Sequence, residues 1–260
     1  MINTNVKVHK KSLQSANTLF KFMDKVKWLK EILELKTIMP RYCEEDGEYL
    51  SNIDGYKIAF PMVCFCDIKL KDLKYHMNTY GRVGIGLKKE WGISNGVQPL
   101  HYINDQSYFN KNIKDIFEKA MYDDDLKSEM YRDYLVEQIK FLKPIQGKMK
   151  RKGYYNEYNF HDEHEWRYVP NETGIEGLDL ILADKECLVD KYYYECSETL
   201  KKNRDIGLKF EYSDIKYLIV TNKKNKNGLV RFISRLPITI EEKNDLISKI
   251  VNYKDVEEDW

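Results

Sequence analysis

The sequence predicts an α+β protein: a mixed sheet of short strands with flanking helices and a helical insertion. Three observations predict it. Tyrosine, phenylalanine and tryptophan number 20, 10 and 4, and aromatic side chains favour pleated, half-buried strands. The run Ile58 to Cys66 is almost unbroken in apolar residues, the pattern of a strand buried on both faces. Between residues 107 and 142 the apolar residues recur at helical spacing instead. A chain of 260 residues is long enough for a substantial core. Residues 1–17 read as an N-terminal arm, and 18–260 as one α+β domain carrying the helical insertion at 107–142.

Taken in order, Leu19 to Met23 is a short strand, and Asp24 is placed to cap the helix that follows. Val26, Trp28, Leu29, Ile32, Leu33 and Leu35 give that helix a broad apolar face, and Pro40 closes the unit. Residues 44 to 57 are acidic and contain glycine, so they read as a loop. After the Ile58–Cys66 strand, Asp67 is a second candidate N-cap. Leu70, Leu73, Met77 and Tyr80 mark a helix, which Gly81 is placed to end in the left-handed conformation. Val83 to Leu87 is a strand with Gly84 and Gly86 on one face, where close backbone or ligand approach is permitted. Gln98 to Ile103 is a further strand after the Asn95-Gly96 turn signal.

In the insertion, Ile113, Ile116, Phe117, Ala120 and Met121 form one stripe. Leu126, Met130, Tyr134, Leu135, Ile139 and Leu142 form another. Gly153 to Asp162 reads as a polar, aromatic loop, and the stretch from Asp184 to Lys202 as helical. Tyr217 to Val220 is a strand. Thr239-Ile240-Glu241-Glu242 is a capping box opening a last helix.

Lys and Arg total 43 against 42 Asp and Glu, a net charge of +1. Nothing global argues for nucleic acid or an anionic membrane as partner. Two basic runs, one at Lys148, Lys150, Arg151 and Lys152 and one at Lys223, Lys224 and Lys226, read as solvated loops. No apolar run is long enough for a signal peptide or a membrane span. The cysteines, Cys43, Cys64, Cys66, Cys187 and Cys196, number five, with no CxxC and no Cys/His zinc spacing. They fit buried small hydrophobes in a reduced cytoplasm. His161 and His164 would face different ways in a strand or loop, so no metal site is expected.

The segment richest in chemistry is Glu163-His164-Glu165-Trp166-Arg167-Tyr168-Val169-Pro170. Read as a strand, it puts Glu163, Glu165 and Arg167 on one face and His164, Trp166 and Tyr168 on the other. Two carboxylates near one guanidinium can differ in pKa, so one could stabilise a developing cation while the other positions an acceptor. The same residues could equally form an ion pair that closes the strand.

Four blocks in this order carry a resemblance: Pro40-Arg41-Tyr42-Cys43-Glu44-Glu45-Asp46; Ala59 to Ile68, with Pro61-Met62-Val63-Cys64-Phe65-Cys66-Asp67 inside it; Tyr80-Gly81 with Gly84 to Gly92; and Glu163 to Pro170. Together, over roughly residues 18 to 222, they resemble AbiGi, the proposed antitoxin member of the AbiG abortive phage-resistance system. The resemblance implies a bacterial anti-phage defence protein that acts as an antitoxin or regulator through protein binding. Its partner would be a cognate toxin of nucleotidyltransferase-like kind. The blocks supply the candidate ligand-binding residues Arg41, Tyr42, Phe65, Asp67, Tyr80, Gly84, Gly86, Lys88, Glu163 and Arg167.

The element order also resembles ADP-ribosyltransferase-like proteins. In that fold a late-strand glutamate acts on the nicotinamide riboside, which makes Glu165 the candidate catalytic residue. Arg41, Tyr80 and Glu163 would then place NAD as cofactor. The first strand departs from that pattern by carrying Lys21 and no histidine.

Overall fold

A computed structural model describes residues 16–51, 53, 55–122, 126–151, 154–183 and 190–259. The N-terminal arm up to residue 15 and Cys187 lie outside the described residues. In chain order the elements begin with β1 (Thr18–Met23), α1 (Val26–Leu35), β2 (Thr37–Ile38), β3 (Arg41–Asp46) and β4 (Lys57–Cys66). Next come α2 (Lys74–Tyr80), β5 (Val83–Lys88), α3 (Lys89–Ser94), β6 (Gln98–Pro99) and β7 (His101–Ile103). The insertion supplies α4 (Tyr108–Tyr122) and α5 (Leu126–Ile139). Then follow β8 (Leu142–Pro144), β9 (Gln146–Arg151), β10 (Tyr154–Asn159) and β11 (Glu165–Tyr168). The chain continues through α6 (Asp190–Leu200), β12 (Leu208–Lys209), β13 (Ile215–Val220), α7 (Lys223–Ile233), α8 (Ile240–Ser248), β14 (Ile250–Asn252) and α9 (Tyr253–Asp259).

The main sheet runs β14-β13-β5-β1-β4-β11-β6, with β3 also paired to β4. Every pair in it is antiparallel except β13 with β14. The α+β class with a mixed sheet is therefore what the structure has. The ten residues of β4 are its hub. They pair with β1 at Cys66, with β11 from Val63 to Cys66, with β3 from Lys57 to Met62, and with Leu182 at Ala59.

Residues alternate across a strand, so β4 feeds both faces of the sheet. Val63 and Phe65 join Leu19, Ile85 and Leu87 on one face, under Leu29 and Leu33 of α1, Leu229 and Ile233 of α7 and Leu246 of α8. On the other face Phe60 and Met62 meet Phe117, Leu135 and Ile139 of the insertion helices. Cys66 meets Phe20, Phe22, Met77 of α2 and Tyr253. Each large side chain buried this way contributes about 1.5–3 kcal/mol.

Several local expectations are corrected. Asp24 does not cap α1, whose N-cap is Lys25 with no side-chain cap bond. Asp67 does not cap a helix either. It accepts the Ala16 N–H at 3.0 Å and pairs with Lys89, because those two donors reach it from β1's entry and α3. Gly81 has positive φ, but with φ 123 and ψ 160 it is in an extended, glycine-specific conformation and not the left-handed helical one.

Gln98 to Ile103 splits into two strands, one in the main sheet and one paired with β8. The expected 153–162 loop is mostly strand, since β10 pairs along β9. Neither basic run is a loop: Lys148, Lys150 and Arg151 lie in β9, Lys152 lies outside the described residues, and the second run is the first turn of α7, started by Asn222, whose side chain accepts the Asn225 N–H. In the insertion, Leu135 and Ile139 are buried while Met130, Tyr134 and Ile116 are exposed. The capping box at Thr239 forms as expected, with Glu242 N–H donating to Thr239 Oγ1 at 3.2 Å and Thr239 N–H donating to Glu242 Oε2 at 3.0 Å.

Candidate functional site

The register Glu165↔Cys66 and Arg167↔Cys64 puts both charged residues of β11 on the face of β4 that carries Phe60 and Met62. Glu163 does not belong to that strand. It ends a 3-10 turn over Phe160–Glu163, and His164 then takes φ 43 and ψ 51. This kink separates Glu163 from the strand, yet its carboxylate reaches the same spot through a shared lysine.

Arg167 is the centre of the group and is 0% exposed. Its Nε and Nη2 donate to Glu165 Oε1 at 3.1 and 2.9 Å, Nη2 also donates to Glu45 Oε1 at 3.1 Å, and Nη1 donates to the Lys140 carbonyl at 2.9 Å. Its guanidinium carbon lies 5.6 Å from the Phe60 ring centre. Lys143 of β8 donates to Glu165 Oε2 at 2.7 Å and to Glu163 Oε2 at 3.0 Å, with its ammonium 4.6 Å from the Phe160 ring centre. The Tyr80 hydroxyl of α2 donates to Glu163 Oε1. The Glu165 N–H donates to the Tyr102 hydroxyl at 2.8 Å. The result is a continuous chain, Glu45–Arg167–Glu165–Lys143–Glu163–Tyr80, lying between two apolar clusters.

Burial alone would raise the pKa of Glu165. The charges of Arg167 and Lys143, with hydrogen bonds from Lys143 and the Cys64 thiol, overcome it and hold the carboxyl well below the usual range. Burial likewise works against the charge on Lys143, but Glu165, Glu45 and Glu163 keep it above its ordinary value. Burial and then the Glu163 charge push the Tyr80 phenol up, so it stays a donor. Beside this chain, Lys21 is pulled below its ordinary value by burial and by the Arg41 charge.

Of the sequence candidates, Tyr80, Glu163, Glu165 and Arg167 come together. Arg41 opens β3 on the alternation that leads to Glu45, and its side chain is exposed. Asp67 sits beside the group, its N–H donating to the His164 carbonyl at 3.0 Å. The others lie elsewhere. Tyr42 is buried against α6, where its N–H donates to Ser197 Oγ at 3.0 Å. Phe65 packs edge-on to Trp91 in the opposite core. Gly84 and Gly86 lie against the Phe22 and Phe20 rings, which an added Cβ would meet at 2.7 and 2.8 Å. Lys88 is exposed at the end of β5. Sequence reasoning missed Lys143, Glu45, Tyr102 and Cys64. The signal for Lys143 was a lone cation in the apolar run Phe141-Leu142-Lys143-Pro144.

The residues present do not fit a nicotinamide riboside. Glu165 is 6% exposed and both of its oxygens are engaged by cations. A carboxylate held this far down is also a weak proton acceptor. Among the described residues no group of three His, Cys, Asp or Glu side chains could hold a metal ion, and no helix is long and apolar enough to cross a membrane. An open depression of about 430 Å³, lined by Glu211, Tyr212, Ser213, Glu241, Glu242 and Asp245, includes none of these charged residues.

Sequence comparison places this α+β scaffold among the abortive phage resistance proteins, a class of anti-phage defence proteins. A family model described as a proposed abortive phage resistance protein AbiGi, antitoxin, matches residues 36–221. The chain belongs to the AbiGi family. It is similar to a protein of Lactococcus lactis subsp. cremoris described as "Abortive phage resistance protein AbiGi", with 32% identity over 249 residues covering 85% of this chain and 99% of the relative. No solved structure matches.

Proposed function

We propose that the protein is the antitoxin of an abortive-infection pair and acts in the cytoplasm by binding a cognate toxin of nucleotidyltransferase-like kind. The observation that carries this reading is the closed chain of charges around Glu165. Its groups satisfy one another, and Lys143, Glu163, Glu165 and Arg167 are buried, which suits a rigid scaffold better than a site awaiting substrate. The family's description as an antitoxin supports the same reading.

The insertion helices offer a surface for the partner. Tyr108, Phe109 and Ile116 of α4 and Met130, Tyr131 and Tyr134 of α5 are exposed. Protein interfaces are enriched in such aromatic residues and methionine.

Co-expression with the cognate toxin tests the proposal. Cells making both proteins should grow where cells making the toxin alone arrest, and the two should co-elute. A Phe109→Ser/Tyr134→Ser variant should keep its melting temperature and lose the rescue. Absence of both rescue and co-elution would sink the reading. An NAD-consuming activity abolished in Glu165→Gln would replace it with a transferase.

A further inference from the structure

From Asp214 to Glu241 the chain holds six cations, Lys216, Lys223, Lys224, Lys226, Arg231 and Arg235, and no acidic residue between them. In a protein of net charge +1 this is a marked local imbalance. The structure gathers five of the six on α7 and the turn just after it. Three lysines stand in the first turn of that helix, with no acidic residue there. Cations at that end oppose the helix dipole, so the arrangement gives up stability rather than adding it.

The core side of α7 is set by Leu229 and Ile233. On the outer side, Lys224, Gly228 and Arg231 follow one another at i, i+4 and i+7, the spacing of a single helical stripe, and Arg235 stands in the turn just after the helix. Lys224, Arg231 and Arg235 are exposed, and none makes an ion pair among the described residues. Among the described residues the hydrogen bond these heads make is local, Arg231 Nε donating to the Asn227 carbonyl at 3.3 Å.

Gly228 is the second observation. A glycine in mid-helix weakens the helix relative to alanine, and such a residue is usually retained because a neighbour leaves no room for a Cβ. Here a Cβ would meet nothing within 4 Å. Among the described residues no packing asks for glycine there. It leaves a bare notch between two cations, where an outside backbone can come close.

We infer that this stripe of α7 docks the phosphate backbone of duplex DNA. Charge complementarity selects the class of partner. The helical part of the stripe, Lys224 to Arg231, spans roughly 10 Å at the rise of 1.5 Å per residue, and the major groove of about 12 Å admits an α-helix. A duplex is favoured over single strands because the stripe presents no aromatic ring on which bases could stack. The one aromatic residue of α7, Phe232, is half-buried and lies under the Lys30 ammonium at 5.5 Å. This inference stands apart from the toxin-binding reading and does not depend on it.

The test is fluorescence anisotropy of the full chain with a labelled mixed-sequence duplex and with single-stranded RNA of equal length. Three phosphate contacts give a slope of log affinity on log salt of about −2.7, or roughly 40-fold weaker binding for a four-fold rise in salt. The Lys224→Gln/Arg231→Gln/Arg235→Gln variant should lose that slope and bind at least about ten-fold more weakly. Gly228→Gln should melt at a higher temperature and yet bind the duplex more weakly, an opposition that a misfolded variant would not show. The inference is overturned if the wild-type chain does not bind the duplex at low salt, or if single-stranded RNA binds more tightly. It is overturned equally if either variant keeps wild-type affinity. If the triple variant loses the toxin while its duplex affinity is unchanged, the face serves a protein partner and the inference falls.

Discussion

Replacing Arg167 by methionine tests what the buried chain of charges does for the fold. The substitution keeps an unbranched side chain against Phe60 and removes four hydrogen bonds, three of them to Glu165 and Glu45 and one to the Lys140 carbonyl. Bonds to charged groups are worth about 1.5–3 kcal/mol apiece, but these share one desolvation cost and do not add. The better guide is the penalty for removing one partner of a buried pair, about 3–5 kcal/mol, because the remaining charge stays buried without its counterion. Glu165 would keep Lys143, and Glu45 is partly exposed, which places the expectation near the lower end, about 3 kcal/mol. Urea unfolding followed by circular dichroism reads it as a lower midpoint at unchanged slope. Adding Glu165→Gln to Arg167→Met removes the stranded charge, so the double variant should be less destabilised than the sum of the single ones. A loss below about 1 kcal/mol in Arg167→Met, with strict additivity, would refute the view that this chain is a structural tie.

Three further outcomes follow from the same structure. Glu165 is held below its ordinary value of 4.5, so the unfolded chain binds more protons than the folded one under acid conditions. Its contribution is complete above the unfolded value and is lost as pH falls from there down through the lower folded one; urea midpoints should begin to drop at about pH 5.5 and keep dropping as pH falls further, and drop less in Glu165→Gln. Gly81→Ala forces a side chain onto φ 123, with its Cβ 2.3 Å from the Met23 carbonyl carbon; strain alone costs about 1–3 kcal/mol and the backbone clash adds to it, so thermal or urea unfolding should show a loss of at least about 3 kcal/mol. Thr239→Ala removes the Oγ1 that accepts the Glu242 N–H and should cost about 1 kcal/mol, seen as a small fall in melting temperature.

The parts of the fold that sequence made legible are those set by local periodicity. The Ile58–Cys66 run has the pattern of a strand buried on both faces, and the alternation Glu165, Trp166, Arg167 already put the two charges on one face. The Thr239 box names its own helix start. What stayed hidden was decided by long-range competition. Asp67 has the chemistry of an N-cap, but the Ala16 amide and Lys89 claim it first. Lys143 is 20 residues from Glu163 and 22 from Glu165, and nothing in Leu142-Lys143-Pro144 says which carboxylates it will meet. The β9–β10 ribbon lacks apolar alternation and so resembles a loop until its pairing is seen. Lysine and asparagine around 222–227 also suggested a loop, yet Asn222 starts a helix there. In the insertion, the two apolar stripes leave Ile116, Met130 and Tyr134 facing solvent, because helical period alone does not tell a core face from a docking face.

The position of β4 as hub has a consequence for how the chain is made. Cys66 leaves the ribosome 99 residues before its partner Glu165. At about 5–20 residues per second that interval is roughly 5–20 s. Until it ends, the Val63–Cys66 segment has one unpaired edge on a strand that is apolar along almost its whole length, a template for pairing with other chains. The helices at Tyr108–Tyr122 and Leu126–Ile139 lengthen the wait, since they are synthesised in between. They also pack on Phe60 and Met62 of the same strand, so the segment that delays closure of the sheet shelters its apolar face before β11 arrives.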